Sequence, residues 1–207
     1  MTSSRIISLF LKTRTSFIVT ALKAFLLAAP LLVACTADSF DFSSLRAYFV
    51  FDNSVHQDPT LQSALNPMSP GVFCRIHEGS EGGALFIYFE SNQSNKTTKS
   101  KENADDLRRT RAIGVYNKTG VIVGYGNLSS PATLYAYDSQ CRNCYESSGL
   151  TRYALTMNTD GTATCRYCHR VYDMNSGGIL IKGDKGRGMI EYRGNTTGTF
   201  GILSVNN

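Results

Sequence analysis

Cys141, Cys144, Cys165 and Cys168 fall as C-x2-C, twenty residues, then C-x2-C, and this spacing constrains the chain more than any other feature in it. Each pair puts two thiolates on one tight turn. Two such turns brought together supply the four soft donors that a tetrahedral zinc ion or an iron–sulfur centre requires. The chain must therefore fold so that two segments far apart in sequence meet at their tips.

The other end of the chain carries an export-type pattern. Residues 1–23 hold only basic charges, Arg5, Lys12, Arg14 and Lys23, and the apolar run 24–34 follows. Such a segment reads as a cleaved signal and not as part of the fold. A run this short falls below the ~20 apolar residues that span a bilayer, although residues 17–34 taken together come close, which leaves a membrane anchor with an incidental cysteine as the alternative. Its end, Leu32-Val33-Ala34-Cys35, resembles the lipobox of bacterial lipoprotein signal peptides. The resemblance implies that residues 1–34 are removed and Cys35 is acylated as the first residue of the mature chain. Two or more acyl chains give stable anchoring, so the expected partner is a lipid bilayer. The expected location is the cell envelope, on the outer membrane. Residues 35–45, polar with Asp38 and Asp41, read as the lipidated tether, and residues 46–207 as one domain.

The charge balance shifts with that assignment. The whole chain has 21 Lys and Arg against 16 Asp and Glu; without its first 34 residues 17 remain against 16. A near-neutral domain lacks the field that holds a polyanion, so nucleic acid is not an expected partner.

Most of the remaining segments read as strands, and the fold class is mostly antiparallel β. Residues 47–51 and 84–89 are rich in aromatic and aliphatic side chains. Residues 113–116 and 121–125 flank Asn117-Lys118-Thr119-Gly120, an expected hairpin, and residues 153–157 and 162–165 flank Asn158-Thr159-Asp160-Gly161, a second one. Residues 133–138 run into the first cysteine pair, and residues 179–182, 189–192 and 199–205 complete the set. One short helix is expected over 60–65. Residues 91–111 read as a polar loop with a helical turn near 104–109, and residues 137–182 as the four-cysteine subregion.

Tyr137-Asp138-Ser139-Gln140-Cys141-Arg142-Asn143-Cys144, Thr164-Cys165-Arg166-Tyr167-Cys168, Val171-Tyr172-Asp173, Gly177-Gly178 and Tyr192 together resemble the Rieske iron–sulfur domain and Rieske-like bacterial lipoproteins. The resemblance implies two cysteine-bearing loops at the tips of β-hairpins around a 2Fe-2S cluster. In that pattern Cys141 and Cys165 match the cysteine ligands and Cys168 takes the place of the second histidine. Asn143 stands at the first histidine position, with Cys144 one residue on. An all-cysteine 2Fe-2S centre has a low potential, about −400 mV in plant-type ferredoxins. An exported protein that carries a cluster crosses the membrane folded, behind a twin-arginine signal, and residues 1–23 hold no adjacent arginines. Zinc can bind after transport.

Three states of the four cysteines thus stand open: a structural metal site with zinc favoured, a 2Fe-2S electron-transfer centre, and two disulfides formed in an oxidising compartment, with Cys141–Cys165 and Cys144–Cys168 as one pairing. His169 is an alternative ligand to Cys168, or a contact behind it. Cys74 and His77 form a further C-x2-H pair, which reads better as a buried thiol beside Phe73 and Ile76. No Ser-His-Asp set, phosphate loop or carboxylate pair is present, and the stretch 183–188 reads as a turn. Those absences favour a non-catalytic role. A redox dithiol opens a helix, whose N-terminus lowers a thiol pKa, and the expected hairpin surroundings disfavour that chemistry here.

Overall fold

Buried and exposed positions alternate along the first strand, β1 (Tyr48–Asp52), where Phe49 and Phe51 point inward and Tyr48 outward. In register with it lies the last strand, β12 (Ile202–Asn206), which sets Val205 opposite Phe49 and Leu203 opposite Phe51. The computed structural model describes residues 45–115, 119–128 and 130–207. The expected export signal, Cys35 and most of the tether lie outside them. Among the described residues no helix is long and apolar enough to cross a membrane.

Between these strands run β2 (Phe73–Glu81), β3 (Ala84–Ser91), β4 (Thr97–Lys101), β5 (Val121–Tyr125), β6 (Leu134–Asp138), β7 (Leu155–Met157), β8 (Thr162–Cys165), β9 (Val171–Asp173), β10 (Ile179–Lys182) and β11 (Glu191–Thr196). They form an eight-stranded sheet ordered β1-β12-β11-β6-β5-β2-β3-β4 and a four-stranded sheet ordered β10-β9-β8-β7. Every pairing in both is antiparallel. The mostly antiparallel β architecture expected from the sequence is the one adopted.

The two faces of the large sheet serve two cores. Val121, Val123 and Ala136 join Phe49, Phe51, Ile76, Phe89 and Leu203 on one side. From the same strands β5 and β6, Ile122 and Tyr137 turn the other way, to Phe73, Leu155, Tyr172, Met174 and the cysteines. A two-sided strand reads as the continuous apolar run Val121-Ile122-Val123 and not as alternation.

Four short α-helices accompany the sheets among the described residues, where one helix and a helical turn near 104–109 were expected. The expected helix is α2 (Pro59–Ala64), with Asp58 accepting from the N–H groups of Thr60 and Leu61 at 2.9 Å each and proline in the first turn. It buries Leu61 and Ala64. The others are α1 (Asn53–His56), α3 (Ala104–Arg108) and α4 (Arg142–Ser148).

Several local expectations need correction. The polar stretch 91–111 is not simply a loop: it holds β4, paired to β3, before the expected helical turn, which is α3 behind a capping box of Asn103 and Asp106. β4 is an edge strand that buries little and displays Lys99 and Lys101, so backbone pairing and not apolar pattern specifies it. β2 was not anticipated, because Glu78-Gly79-Ser80-Glu81 carry no apolar signal; the two-residue Gly82-Gly83 turn, with φ of 58° and 80°, closes it onto β3. Residues 113–115 form no strand. At Gly114 φ is 77°, and a Cβ there would lie 2.5 Å from the Gly120 carbonyl, so the chain turns sharply instead of extending. Of that expected hairpin, residues 116–118, which include half of the tip, lie outside the described residues. β5 pairs instead with β2 and β6.

Glu191 sits half-buried on β11, where burial raises its carboxyl to about 7. A carboxyl raised above its unfolded value of ~4.3 is fully accommodated below that value, and its penalty grows as the pH climbs toward 7. Glu191→Gln should therefore stabilise the protein by about 1–2 kcal/mol at pH 8, after allowance for partial exposure, and change little at pH 4. Thermal melts across that range check the slope; equal effects at both ends would be inconsistent with it.

Candidate metal centre

The first cysteine pair is placed by a buried polar segment. Asp138, Ser139 and Gln140 are all fully buried. One Asp138 oxygen accepts from the Gln140 N–H at 2.7 Å; the other accepts from the Val115 N–H at 2.6 Å and the Tyr192 hydroxyl at 2.8 Å. Burial raises the Asp138 carboxyl, and these donors pull against it. On the far side, the Cys141 N–H donates to Tyr153 O at 2.9 Å and the Leu155 N–H to Ser139 O at 2.7 Å. The chain is zipped between two neighbours up to the residue where the first sulfur sits.

There the structure departs from the sequence reading. Cys141 is the N-cap of α4 and Cys144 lies within its first turn, so this pair occupies a strand-to-helix junction and not a hairpin tip. α4 shows little apolar periodicity, since Cys144 is its one buried residue. Two local signals were nevertheless present: the Arg142–Glu146 ion pair one turn apart at 2.9 Å, and Gly149 with φ of 68° at the helix end.

The second pair does sit at a hairpin tip, between β8 and β9. The His169 N–H donates to Cys165 O at 2.9 Å and the Cys165 N–H to Arg170 O at 3.0 Å, with His169 in the left-handed region at φ 56°. This knuckle turns the Cys168 sulfur back toward Cys165. His169 itself is exposed and is not among the ligand-type atoms that converge.

All four sulfurs lie within 4.8 Å of one another. Cys141 to Cys168 and Cys144 to Cys165 are each 3.7 Å apart. Four sulfurs ~2.3 Å from one tetrahedral ion would be separated by about 3.8 Å. No pair is at bonding distance, and the two pairs 3.7 Å apart are not those named for the disulfide alternative. A two-iron cluster shares its protein sulfurs between two separated ions, so the span of this set suits one ion better than two.

The surroundings are mostly apolar, with a few polar groups aimed at the sulfurs. Tyr172 is buried with its hydroxyl 3.3 Å from the Cys141 sulfur and receives a hydrogen bond from Asn143 at 2.9 Å. Asn143 also grips the loop 183–188, donating to Arg187 O at 2.8 Å and accepting from its N–H at 2.9 Å. Arg170 holds the same loop through Asp184 O and Lys185 O, at 3.0 and 3.1 Å. The turn expected over 183–188 is thus strapped to both cysteine-bearing segments, and nothing in the sequence singled out Asn143, Arg170 or Tyr172 for these contacts.

Without an ion the thiols resist ionising together. Burial pushes Cys141 up to about 11, against the pull of the Tyr172 hydroxyl, and burial beside the other thiols pushes Cys144 higher still. Cys168 goes the other way: burial would raise it, but the Arg170 N–H and guanidinium outweigh that and bring it down to about 7. A helix does open at Cys141, as a redox dithiol would require, yet both sulfurs of that pair are buried and raised, opposite to the activation such chemistry uses. A divalent cation relieves the conflict by favouring all the thiolates at once.

Cys74 is remote from this set, fully buried, and its thiol is raised by burial. His77 turns instead to Glu90, at 3.3 Å, and stacks on Tyr88. No family model, curated protein or solved structure matches the chain.

Proposed function

We propose that this protein is a lipid-anchored, non-catalytic module of the cell envelope whose β domain is stapled by one zinc ion on Cys141, Cys144, Cys165 and Cys168. The supporting observation is the convergence of four sulfurs within 4.8 Å inside a largely apolar shell. A closed four-cysteine set leaves no open coordination position, which is the pattern of structural and not catalytic zinc. The export-type segment and the lipobox-like end at Cys35 support the anchor. On this reading the bilayer is that of the outer membrane, and nucleic acid is not a partner.

Elemental analysis with thiol titration tests the metal, on protein made in the cytoplasm and on protein sent through its own signal. One zinc per chain is expected from both routes, with the four thiols unreactive until a chelator is added. A metal-free protein with four reactive thiols overturns the reading. So does iron with visible absorption and a paramagnetic signal on reduction, which would assign the 2Fe-2S alternative. For the anchor, Cys35→Ser should move the protein out of the membrane fraction; unchanged fractionation removes that part.

A further inference from the structure

Beside the second cysteine pair, and lined in part by Cys165, lies a cleft of about 530 Å³. Its size is within the ~300–1,000 Å³ range of ligand clefts. One side is β7; the other is the end of β3 with the connection into β4. Arg75, Lys96, Arg152 and Arg166 line it, and Glu90 is the only carboxylate among the described residues that do. Glu90 is already shared between Arg75 and His77. Arg75 is poorly satisfied: its contacts to Glu90 and Thr119 O are both 3.5 Å long, and its Nε is buried without a partner. The cleft therefore carries an excess of cationic groups over carboxylates.

β7 is an edge strand of the four-stranded sheet. The Asn158 N–H donates back to Thr162 O at 2.8 Å, across the β7–β8 hairpin. In an antiparallel ladder inward and outward pairs alternate, so Met157 one residue earlier aims its N–H and C=O away from β8. Leu155 is on the same outward phase, and its N–H is taken by Ser139 O at 2.7 Å. The side of β7 away from β8 is thus partly taken by the buried segment 139–141, which bridges Ala154 through Gln140, and side chains of 152–157 line the cleft. At one end the rings of Tyr153 and Tyr167 lie 4.5 Å apart and tilted, with Arg152 over Tyr153 at 5.3 Å.

We propose that this cleft binds an acidic peptide segment, with its carboxylates on Arg75, Lys96, Arg152 and Arg166 and an apolar side chain against Tyr153 and Tyr167. Arginine clusters recognise acidic segments through charge-assisted hydrogen bonds, and the two tyrosine rings offer an apolar contact at one end. The inference deepens the module reading by naming its partner chemistry. It does not require a particular ion, although Arg166 and Tyr167 lie between Cys165 and Cys168.

The test is fluorescence anisotropy on the purified protein, with its metal content measured on the same sample. The probes are a labelled peptide of about nine residues alternating Glu and Val around a central Tyr, and its counterpart with Lys for Glu. The acidic peptide should bind at least about tenfold tighter, and added salt should weaken it. Arg152→Glu with Arg166→Glu, both exposed, should reduce binding at least about tenfold. Equal binding of the two peptides, no binding, or full binding by the charge-reversed variant overturns the proposal. Displacement of the peptide by a lower concentration of single-stranded oligonucleotide also overturns it, assigning the cleft to nucleic acid. Metal analysis reports on the staple separately, so the two readings fail independently.

Discussion

Stripping the ion, or replacing Cys144 or Cys165 by serine, should unfold the four-stranded sheet while much of the larger sheet stays folded. The cysteines are members of the second core, packed with Leu155, Ala163 and Tyr172, and not merely ornaments on loops. A structural zinc contributes an apparent ~10–16 kcal/mol, as large as the ~5–15 kcal/mol that holds a typical domain together. A serine adds a weaker ligand and a hydroxyl in an apolar setting. The first core, with Phe49, Phe51, Leu61 and Phe89, contains none of the four. Hydrogen exchange followed by mass spectrometry should show residues 139–182 losing protection after chelation while β1, β2, β3 and β12 keep theirs. Unchanged exchange across 139–182 would mean that the sulfurs meet without bearing any of the stability.

The second large effect is expected from Asp138. Its two oxygens take three donors inside the protein: the N–H groups of Val115 and Gln140 and the hydroxyl of Tyr192. Asp138→Ala strands all three where water does not reach, at about 1–3 kcal/mol for each that finds no substitute, so a loss of about 3–5 kcal/mol is expected. Because the Gln140 contact fixes the approach to Cys141, zinc affinity should fall as well, by about 10–100-fold as for other residues that orient ligands. Denaturant midpoints and competition with a chelator measure the two effects. A stability loss with unaltered metal affinity would confine Asp138 to the fold.

Parts of this architecture were plain in the residues. The four sulfurs meet as their spacing predicts, because a C-x2-C pair leaves few ways to turn. Strands carrying long apolar runs, such as β3 and β5, were equally legible. What escaped was structure held by partners and not by pattern. β4 offers Thr97-Thr98-Lys99-Ser100-Lys101 to the edge of β3, and no side-chain periodicity marks it. β2 loses its apolar signal halfway along, where β3 alone carries the pairing. α4 buries one cysteine and little else, and its helical state follows from the tightly held segment before it and the glycine after it. The helix at Cys141 matters chemically, since it moves the first pair off the hairpin frame that the Rieske resemblance implied.

The strap over residues 183–188 ties two distant parts of the chain to each other's fate. Asn143 holds it from within the first cysteine pair and Arg170 from just beyond the second. Neither knuckle opens widely without moving a loop that the other also holds. With zinc bound as proposed, loss of the contacts to either end of the strap should loosen both cysteine-bearing segments together, a coupling that the double hold of Asn143 and Arg170 builds into the fold.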